Sequence, residues 1–223
     1  MLPLTRHGWR EMLVGTVVLA GVAAALAWVT PWLALVVLPV WVWLIAFFRD
    51  PDRPLPADPH AIVSPADGRV SDITQLDNDP LLDGPAVRVG IFLSVFNVHI
   101  NRAPCDGKVL SVTYRKGKFV NAMRHGPASE ENESNTIVLG DAATGRPVAV
   151  VKQIVGLIAR RIVCTVREGD VVQRGQRIGM IKFGSRTELC LPQRLSPRIT
   201  VQIGQTVHGA ADTVAVVQPE QSR

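Results

Sequence analysis

The feature that most constrains this chain is a run of 37 residues without one charged side chain, from Met12 to Phe48. A transmembrane helix needs about 20 apolar residues, so the run is too long for one span and just long enough for two short ones. Pro31 lies near its middle, and proline breaks a helix because it lacks the amide donor. The run therefore predicts a helical hairpin, about 12–29 and 32–48, that is either transmembrane or monotopic.

Basic residues flank this hairpin on both sides. Arg6 and Arg10 precede it, and Arg49 and Arg53 follow it. Because positively charged flanks stay on the cytoplasmic side, we expect a protein of the cell membrane with both hairpin ends and the remaining chain in the cytoplasm. A cleaved signal peptide is disfavoured, since its apolar region is much shorter.

The remaining sequence changes character abruptly. A proline-rich, charged linker at 51–59 separates the hairpin at 1–50 from a β-rich domain at 60–223. Short runs of Val and Ile alternate there with turn signals such as Pro-Ala-Asp-Gly and Arg-Glu-Gly-Asp. Strands are predicted at 61–63, 69–73, 87–93, 108–114, 136–139, 147–155, 161–166, 177–183, 199–203 and 213–217. The predicted fold is mainly β, an antiparallel sandwich or flattened barrel similar to lipoyl/biotinyl hybrid domains.

One long segment interrupts the pattern of strands. Residues 115–135 are basic in the first half and acidic in the second. We expect a short helix and a mobile loop there.

Several classes of chemistry are disfavoured by what the sequence lacks. The three cysteines have no Cys-x-x-Cys spacing, which fits reduced cytoplasmic thiols. The five histidines show no metal-ligand spacing, and there is no glycine-rich phosphate loop. We therefore expect neither a metal site nor nucleotide chemistry.

Five short stretches carry a more specific signal when they are taken together in order. They are Ser-Pro-Ala-Asp-Gly at 64–68, Phe-Asn-Val-His-Ile-Asn-Arg-Ala-Pro at 96–104, Gly-Lys-Phe-Val-Asn-Ala at 117–122, Ala-Ser-Glu-Glu-Asn-Glu at 128–133 and Phe-Gly-Ser at 183–185. This order resembles the short form of phosphatidylserine decarboxylase over nearly the whole chain. The resemblance implies a proenzyme that cuts itself between Gly184 and Ser185, leaving chains of 184 and 39 residues. Ser185 would become a covalent pyruvoyl group, the cofactor of the family.

The residue types suit that reaction. A serine hydroxyl is a weak nucleophile that needs a base, and the base needs a group that orients it. His99 and Asp67 are the candidates for these roles toward Ser185. In the mature enzyme the pyruvoyl ketone would form a Schiff base with phosphatidylserine and accept electrons as carbon dioxide leaves, giving phosphatidylethanolamine. His99 is then the candidate proton donor.

Further residues are predicted to bind the phospholipid substrate. Arg102, Arg115, Lys118 and Phe119 are the candidates, the cations for the lipid phosphate and Phe119 for the acyl chains. The net charge of +5 fits attraction to an anionic membrane, so nucleic acid is not an expected partner. A homodimer on the membrane is a further expectation.

Three rival interpretations stay open at this stage. A lipoyl- or biotinyl-like carrier module is suggested by the hairpin-like sequences at 166–172 and 175–179, although Lys182 directly precedes Phe-Gly-Ser instead of lying in a carrier turn. An endopeptidase on a similar sandwich needs a His-x-His motif that is absent. A membrane-tethered adaptor without activity leaves the combination of Asp67, His99 and Ser185 unexplained.

Overall fold

The computed structural model describes residues 3–119, 131–156, 161–182 and 184–217. The chain divides into two compact units, Met1–Asp52 and Arg53–Arg223. The first is helical and the second is built of β-strands.

The helical unit is a hairpin with its break at the predicted place. Helix α1 spans Trp9–Val29, a 3-10 helix spans Pro31–Val36, and helix α2 spans Val37–Phe47. Thr30 between them is extended, with φ −157° and ψ 122°. Of the described helices, the one covering Arg6–Val29 is long and apolar enough to cross a membrane, whereas the apolar helix at Pro31–Phe47 is shorter.

Close contacts hold the two arms of the hairpin together. Trp41 Nε1 donates to Thr16 Oγ1 at 3.0 Å. Gly15 allows Leu44 to approach, because a Cβ on Gly15 would collide with the leucine methyl Cδ2. At the open end, Thr5 N donates to Phe48 O at 2.9 Å. The two arms of the hairpin therefore contact each other both along their length and at the open end.

The described part of the second unit contains fourteen strands, and their recorded pairings are antiparallel. The strands are β1 Ala61–Val63, β2 Gly68–Asp79, β3 Gly84–Leu93, β4 Ile100–Arg102, β5 Gly107–Arg115, β6 Ser134–Gly140, β7 Pro147–Val155, β8 Arg161–Cys164, β9 Val171–Val172, β10 Arg177–Lys182, β11 Ser185–Pro192, β12 Arg198–Ile199, β13 Thr206–Val207 and β14 Thr213–Val216. The prediction of a mainly antiparallel β fold is confirmed.

These strands form three sheets. The largest has the order β13-β2-β3-β11-β7-β6-β5-β9, and the two smaller ones have the orders β1-β14-β12 and β4-β10-β8. The large sheet curls into a half-barrel. Its inner face packs in the main core through alternate residues, among them Val89 and Ile91 of β3 and Leu189 and Leu191 of β11.

Most predicted strands match, but the prediction missed β4, β9, β11 and β13 and misjudged the length of β12. Strand β11 lies centrally in the large sheet between β3 and β7, yet the sequence-based prediction missed it. Its charged residues Arg186 and Glu188 mask the apolar alternation, but both are buried. The strand predicted at 199–203 was too long, since β12 ends at Ile199. The helix and loop predicted within 115–135 fall largely on 120–130, outside the described residues.

Candidate active site

The Gly184–Ser185 bond lies where the chain passes from one sheet to another. Strand β10 ends at Lys182 in a three-stranded sheet, and β11 begins at Ser185 in the large sheet. Gly184 at this corner has φ +69°, in the left-handed region that glycine adopts without the cost of a Cβ. The glycine at the predicted cleavage position is therefore the residue type that the corner requires.

His99 is fully buried and faces this corner. Its Nδ1 lies 2.9 Å from the carbonyl oxygen of Asn97, and its Nε2 lies 3.2 Å from the backbone nitrogen of Gly184. Because a carbonyl can only accept, these partners assign the ring proton to Nδ1 and leave Nε2 as an acceptor. An unprotonated Nε2 next to the cleavage position has the protonation state that a general base needs.

Ser185 is also fully buried, and it begins a strand paired on both sides, with Leu93 of β3 and Val155 of β7. Within the described residues, its Oγ has no hydrogen-bond partner. A buried hydroxyl without a partner costs about 1–3 kcal/mol, so folding alone does not explain a serine here. A buried polar group without a partner calls for an explanation, and a catalytic role is one such explanation.

Asp67 lies in the turn between β1 and β2, and its carboxylate is held by two other groups. Oδ1 accepts from the Gly209 amide at 2.8 Å, and Oδ2 accepts from Arg53 Nη2 at 2.6 Å. Among the described residues, Asp67 makes no hydrogen bond to His99, whose ring is oriented by the Asn97 carbonyl. A role of Asp67 toward His99 therefore stays a prediction.

Three of the four predicted lipid-binding residues lie at the same edge of the sheet as Ser185. Arg115 ends β5 opposite Ser134 of β6, while Ser185 lies opposite Val155 of β7. Three strand spacings separate β5 from β11, or about 14 Å. Lys118 and Phe119 follow Arg115 in the chain, and Lys118 Nζ pairs with Glu131 at 2.9 Å.

Arg102, the fourth, has different surroundings. Arg102 is buried, and its guanidinium donates a hydrogen bond to the Gly175 carbonyl at 3.1 Å. This contact joins β4 to the turn before β10, which is a structural role. A direct contact of Arg102 with lipid stays a prediction.

A buried charge cluster behind Ser185 was missed by the sequence-based reasoning. Arg186 is fully buried and bonds through its three nitrogens to Glu188 at 2.9 Å, to Asp72 at 2.6 Å and to Ser71 at 2.6 Å. Gly90 leaves the space that the guanidinium occupies. Although burial raises the pKa of Asp72, the charge and hydrogen bond of Arg186 bring it below its ordinary value. The available signal was an Arg and a Glu two residues apart beside the cleavage position.

Two of the three cysteines are unsuited to act as an alternative nucleophile. All three are free thiols. Burial raises the pKa of Cys105 to about 12 and also raises the pKa of Cys190. Since the thiolate is the reactive form, these two thiols are inert near neutral pH. In the described part of the chain, no three His, Cys, Asp or Glu side chains are grouped to hold a metal ion.

Comparison with known proteins shows the family of this chain. A model of the family described as phosphatidylserine decarboxylase matches residues 42–215. Similar proteins named phosphatidylserine decarboxylase proenzyme include one from Cupriavidus metallidurans, 45% identical over 80% of this chain and 81% of its own length. Another, from Carboxydothermus hydrogenoformans, is 42% identical over 97% of this chain and 98% of its own length. The chain therefore belongs to the phosphatidylserine decarboxylase family.

Proposed function

We propose that this chain is a proenzyme that cleaves itself between Gly184 and Ser185 and then converts phosphatidylserine to phosphatidylethanolamine. The observation that carries the proposal is the contact of 3.2 Å between His99 Nε2 and the Gly184 amide. The next residue is Ser185, whose buried hydroxyl has no hydrogen-bond partner in the part of the chain that the structure describes. The candidate base thus contacts the glycine that directly precedes the candidate nucleophile, at the corner between the two sheets.

Maturation begins with attack of Ser185 Oγ on the Gly184 carbonyl carbon. The new C–O bond forms as the C–N bond between the two residues breaks, and His99 carries the hydroxyl proton to the departing nitrogen, which gives an ester. Loss of the Ser185 Cα proton then expels the Gly184 carboxylate and leaves dehydroalanine. Water replaces the nitrogen, which departs as ammonia, and a ketone remains at residue 185.

The surroundings of Ser185 fit the pyruvoyl group that results. The serine oxygen has no partner to lose among the described residues, and the neighbouring corner has the conformational freedom of glycine. The group supplies a ketone that binds the serine amine of the substrate and takes up electrons during decarboxylation. His99 is the proposed donor of a proton to the substrate carbon, and Asp67 is the proposed carboxylate that orients the base.

Lipid substrate would reach the site at the sheet edge that carries Ser185. Phe96 lies in the turn between β3 and β4 and is 71% exposed, and Phe119, beyond Arg115 and Lys118, is 40% exposed. Exposed aromatic side chains beside cations suit the interface of an anionic bilayer. Helix α1 and its basic flanks support anchoring in the cell membrane with the β unit on the cytoplasmic side.

The first experiment measures the intact masses of the full chain purified from membranes. We expect fragments of 184 and 39 residues, the smaller one without a free amino terminus and reactive toward a carbonyl reagent such as hydroxylamine. The same preparation should release carbon dioxide from phosphatidylserine labelled at the serine carboxyl. A single unmodified chain of 223 residues that still releases carbon dioxide would overturn the proposal.

The carrier-module interpretation is not favoured. A carrier must present its lysine in an exposed turn, whereas Lys182 is only 5% exposed and ends β10. The predicted homodimer stays a prediction, which the mass of the detergent-solubilised protein will test.

A further inference from the structure

Four buried polar side chains connect strands near the candidate site and have no assigned role. Asn135 Nδ2 donates to Gln153 Oε1 at 2.9 Å, and Gln153 Nε2 donates to Asn101 Oδ1 at 2.9 Å. Asn101 Nδ2 in turn donates to Thr187 Oγ1 at 2.9 Å. All four residues are buried, so each bond forms where water cannot replace it.

Asn101 occupies the centre of this network. It lies two residues after His99, and Thr187, its partner, lies two residues after Ser185. Its Nδ2 also lies 3.5 Å from the carbonyl oxygen of Pro65, two residues before Asp67. One amide thus contacts all the chain segments that carry the candidate catalytic residues.

Because the backbone is extended in these segments, side chains two residues apart lie on the same face. The His99 carbonyl accepts from the Ile181 amide at 3.2 Å, so His99 continues the pairing of β4 with β10. In extended chain, residues two apart point to the same face. The Asn101 amide is therefore on the same face as the His99 ring, and Thr187 is on the same face as Ser185.

The network also crosses between sheets. Asn101 belongs to β4 in a three-stranded sheet, whereas Gln153 and Thr187 belong to β7 and β11 of the large sheet. Gly179 of β10 leaves room for the crossing, because a Cβ there would lie 2.8 Å from Gln153 Nε2. The scissile bond lies between β10 and β11, the strands that belong to these two sheets.

We propose that Asn101 is a positioning residue that keeps His99 in register with the Gly184–Ser185 bond, and that Gln153 orients its amide. Gln153 donates to the Asn101 oxygen, which directs the Asn101 NH₂ group toward Thr187. Without the network, the two sheets would still share their apolar core, but the hydrogen bonds between the segments that carry His99 and Ser185 would be lost. This inference rests on the proposed function.

The test measures self-cleavage of the full chain, synthesised in a cell-free system with phospholipid nanodiscs and followed by pulse-chase. Asn101→Leu keeps the side-chain size and removes the bonds, and we expect cleavage at least tenfold slower than in the wild type. Asn101→Asp is the conservative rescue, since a carboxylate can accept from both the Gln153 amide and the Thr187 hydroxyl. We expect it to cleave faster than Asn101→Leu.

A matched control separates positioning from loss of stability. Val214→Ala creates a cavity in the buried core beneath β14, outside the network, and should lower the melting temperature yet cleave at the wild-type rate. If Asn101→Leu is no slower than Val214→Ala at comparable stability, or Asn101→Asp is no faster than Asn101→Leu, the inference is wrong.

Milder variants keep the inference testable if Asn101→Leu does not fold. Thr187→Val and Gln153→Met each remove part of the network, and each should slow cleavage severalfold; wild-type rates in both would overturn the inference. Failure of the wild type to cleave would instead refute the proposed function.

Discussion

The hairpin and strand β11 reverse the usual relation between polarity and burial. In the hairpin, Trp28 is 93% exposed and Trp32 is 78% exposed, whereas in β11 the charged residues Arg186 and Glu188 are 0% and 3% exposed. Exposed apolar groups are favourable when the surrounding solvent is hydrocarbon, and buried charges are tolerated when partners replace water. The comparison shows that the energetic cost of exposing an apolar group or burying a charged one depends on the groups or solvent around it.

The largest expected effect concerns Ser185 of β11, whose buried hydroxyl makes no hydrogen bond to a described residue. Ser185→Ala should abolish both cleavage and carbon dioxide release, because no other oxygen can form the ester. Its precursor should melt at the wild-type precursor temperature or slightly above it, since the substitution removes a buried hydroxyl that has no partner among the described residues. Mass spectrometry measures cleavage, release of labelled carbon dioxide measures activity, and circular dichroism measures the melting temperature. Retained cleavage would mean that the nucleophile is assigned wrongly.

Removing Arg186, the buried cation of β11, should strongly lower the free energy of unfolding. In a Ser185→Ala background, Arg186→Met leaves Asp72 and Glu188 without their main partner, and we expect a loss of about 3–5 kcal/mol in the free energy of unfolding. The melting temperature should fall by roughly 6–20 °C. Arg167→Met is the matched control, because the Arg167–Asp170 pair is exposed. Equal effects from both variants would contradict the role of burial.

Adding a charge to the hairpin tests the opposite half of the comparison. Val18→Lys places an ammonium near the middle of α1, where insertion into a bilayer becomes less favourable by about 2.5–3.5 kcal/mol. Less protein should remain in membranes after an alkaline carbonate wash. Val171→Lys, on exposed β9, should leave the membrane fraction unchanged. An undiminished membrane fraction for Val18→Lys would argue against a hydrocarbon environment for α1.

Acid should weaken the charge cluster behind Ser185. The charge and hydrogen bond of Arg186 outweigh the effect of burial and lower the pKa of Asp72. The contribution of ionised Asp72 to stability is therefore complete above the ordinary aspartate pKa of about 4, and it is lost as the pH falls further. Melting temperatures between pH 7 and 3 in the Ser185→Ala background measure this loss. Asp72→Asn should be less stable at pH 7 and show a shallower decline on acidification. A decline as steep as that of the parent would exclude Asp72 as its source.

The smallest expected effect is in the hairpin. Thr16→Val removes the hydrogen bond from Trp41 Nε1, and bonds between helices in membranes contribute only about 0.6 kcal/mol on average. We expect a small shift in the midpoint of unfolding by dodecyl sulfate, followed by the helical circular dichroism signal. Thr16→Ser keeps the hydroxyl and should show no shift. A large shift for Thr16→Val would show that the bond dominates the contact between the arms.

Local sequence patterns were sufficient to predict much of the fold. Pro31 marked the break in the hairpin, and β7 was predicted with the bounds that the structure has, because its apolar run ends at clear turn signals. Strand β11 could not be predicted in this way. Arg186 and Glu188 resemble exposed residues until Asp72, Ser71 and the space above Gly90 are brought next to them from β2 and β3.

The candidate site divides in the same manner. Short motifs predicted Ser185, His99 and Asp67 as site residues, and the structure brings His99 to the amide of the residue before Ser185. Asn101 lay inside one of those motifs without an apparent role, because its partners Gln153 and Thr187 are 52 and 86 residues away in the chain. Hydrogen bonds over such separations leave no local pattern.

The sequence by itself determined the charge-free hairpin, the antiparallel β character of the second unit and the family, since these depend on residue type and short spacing. Only the tertiary structure decided that the Gly184–Ser185 bond lies at a corner between two sheets, that the Ser185 hydroxyl is buried without a described partner, and that Asp67 is held by Arg53 and Gly209. These are relations between distant segments. They exist only after the sheets have packed, because burial and hydrogen-bond partners are set by neighbours in space.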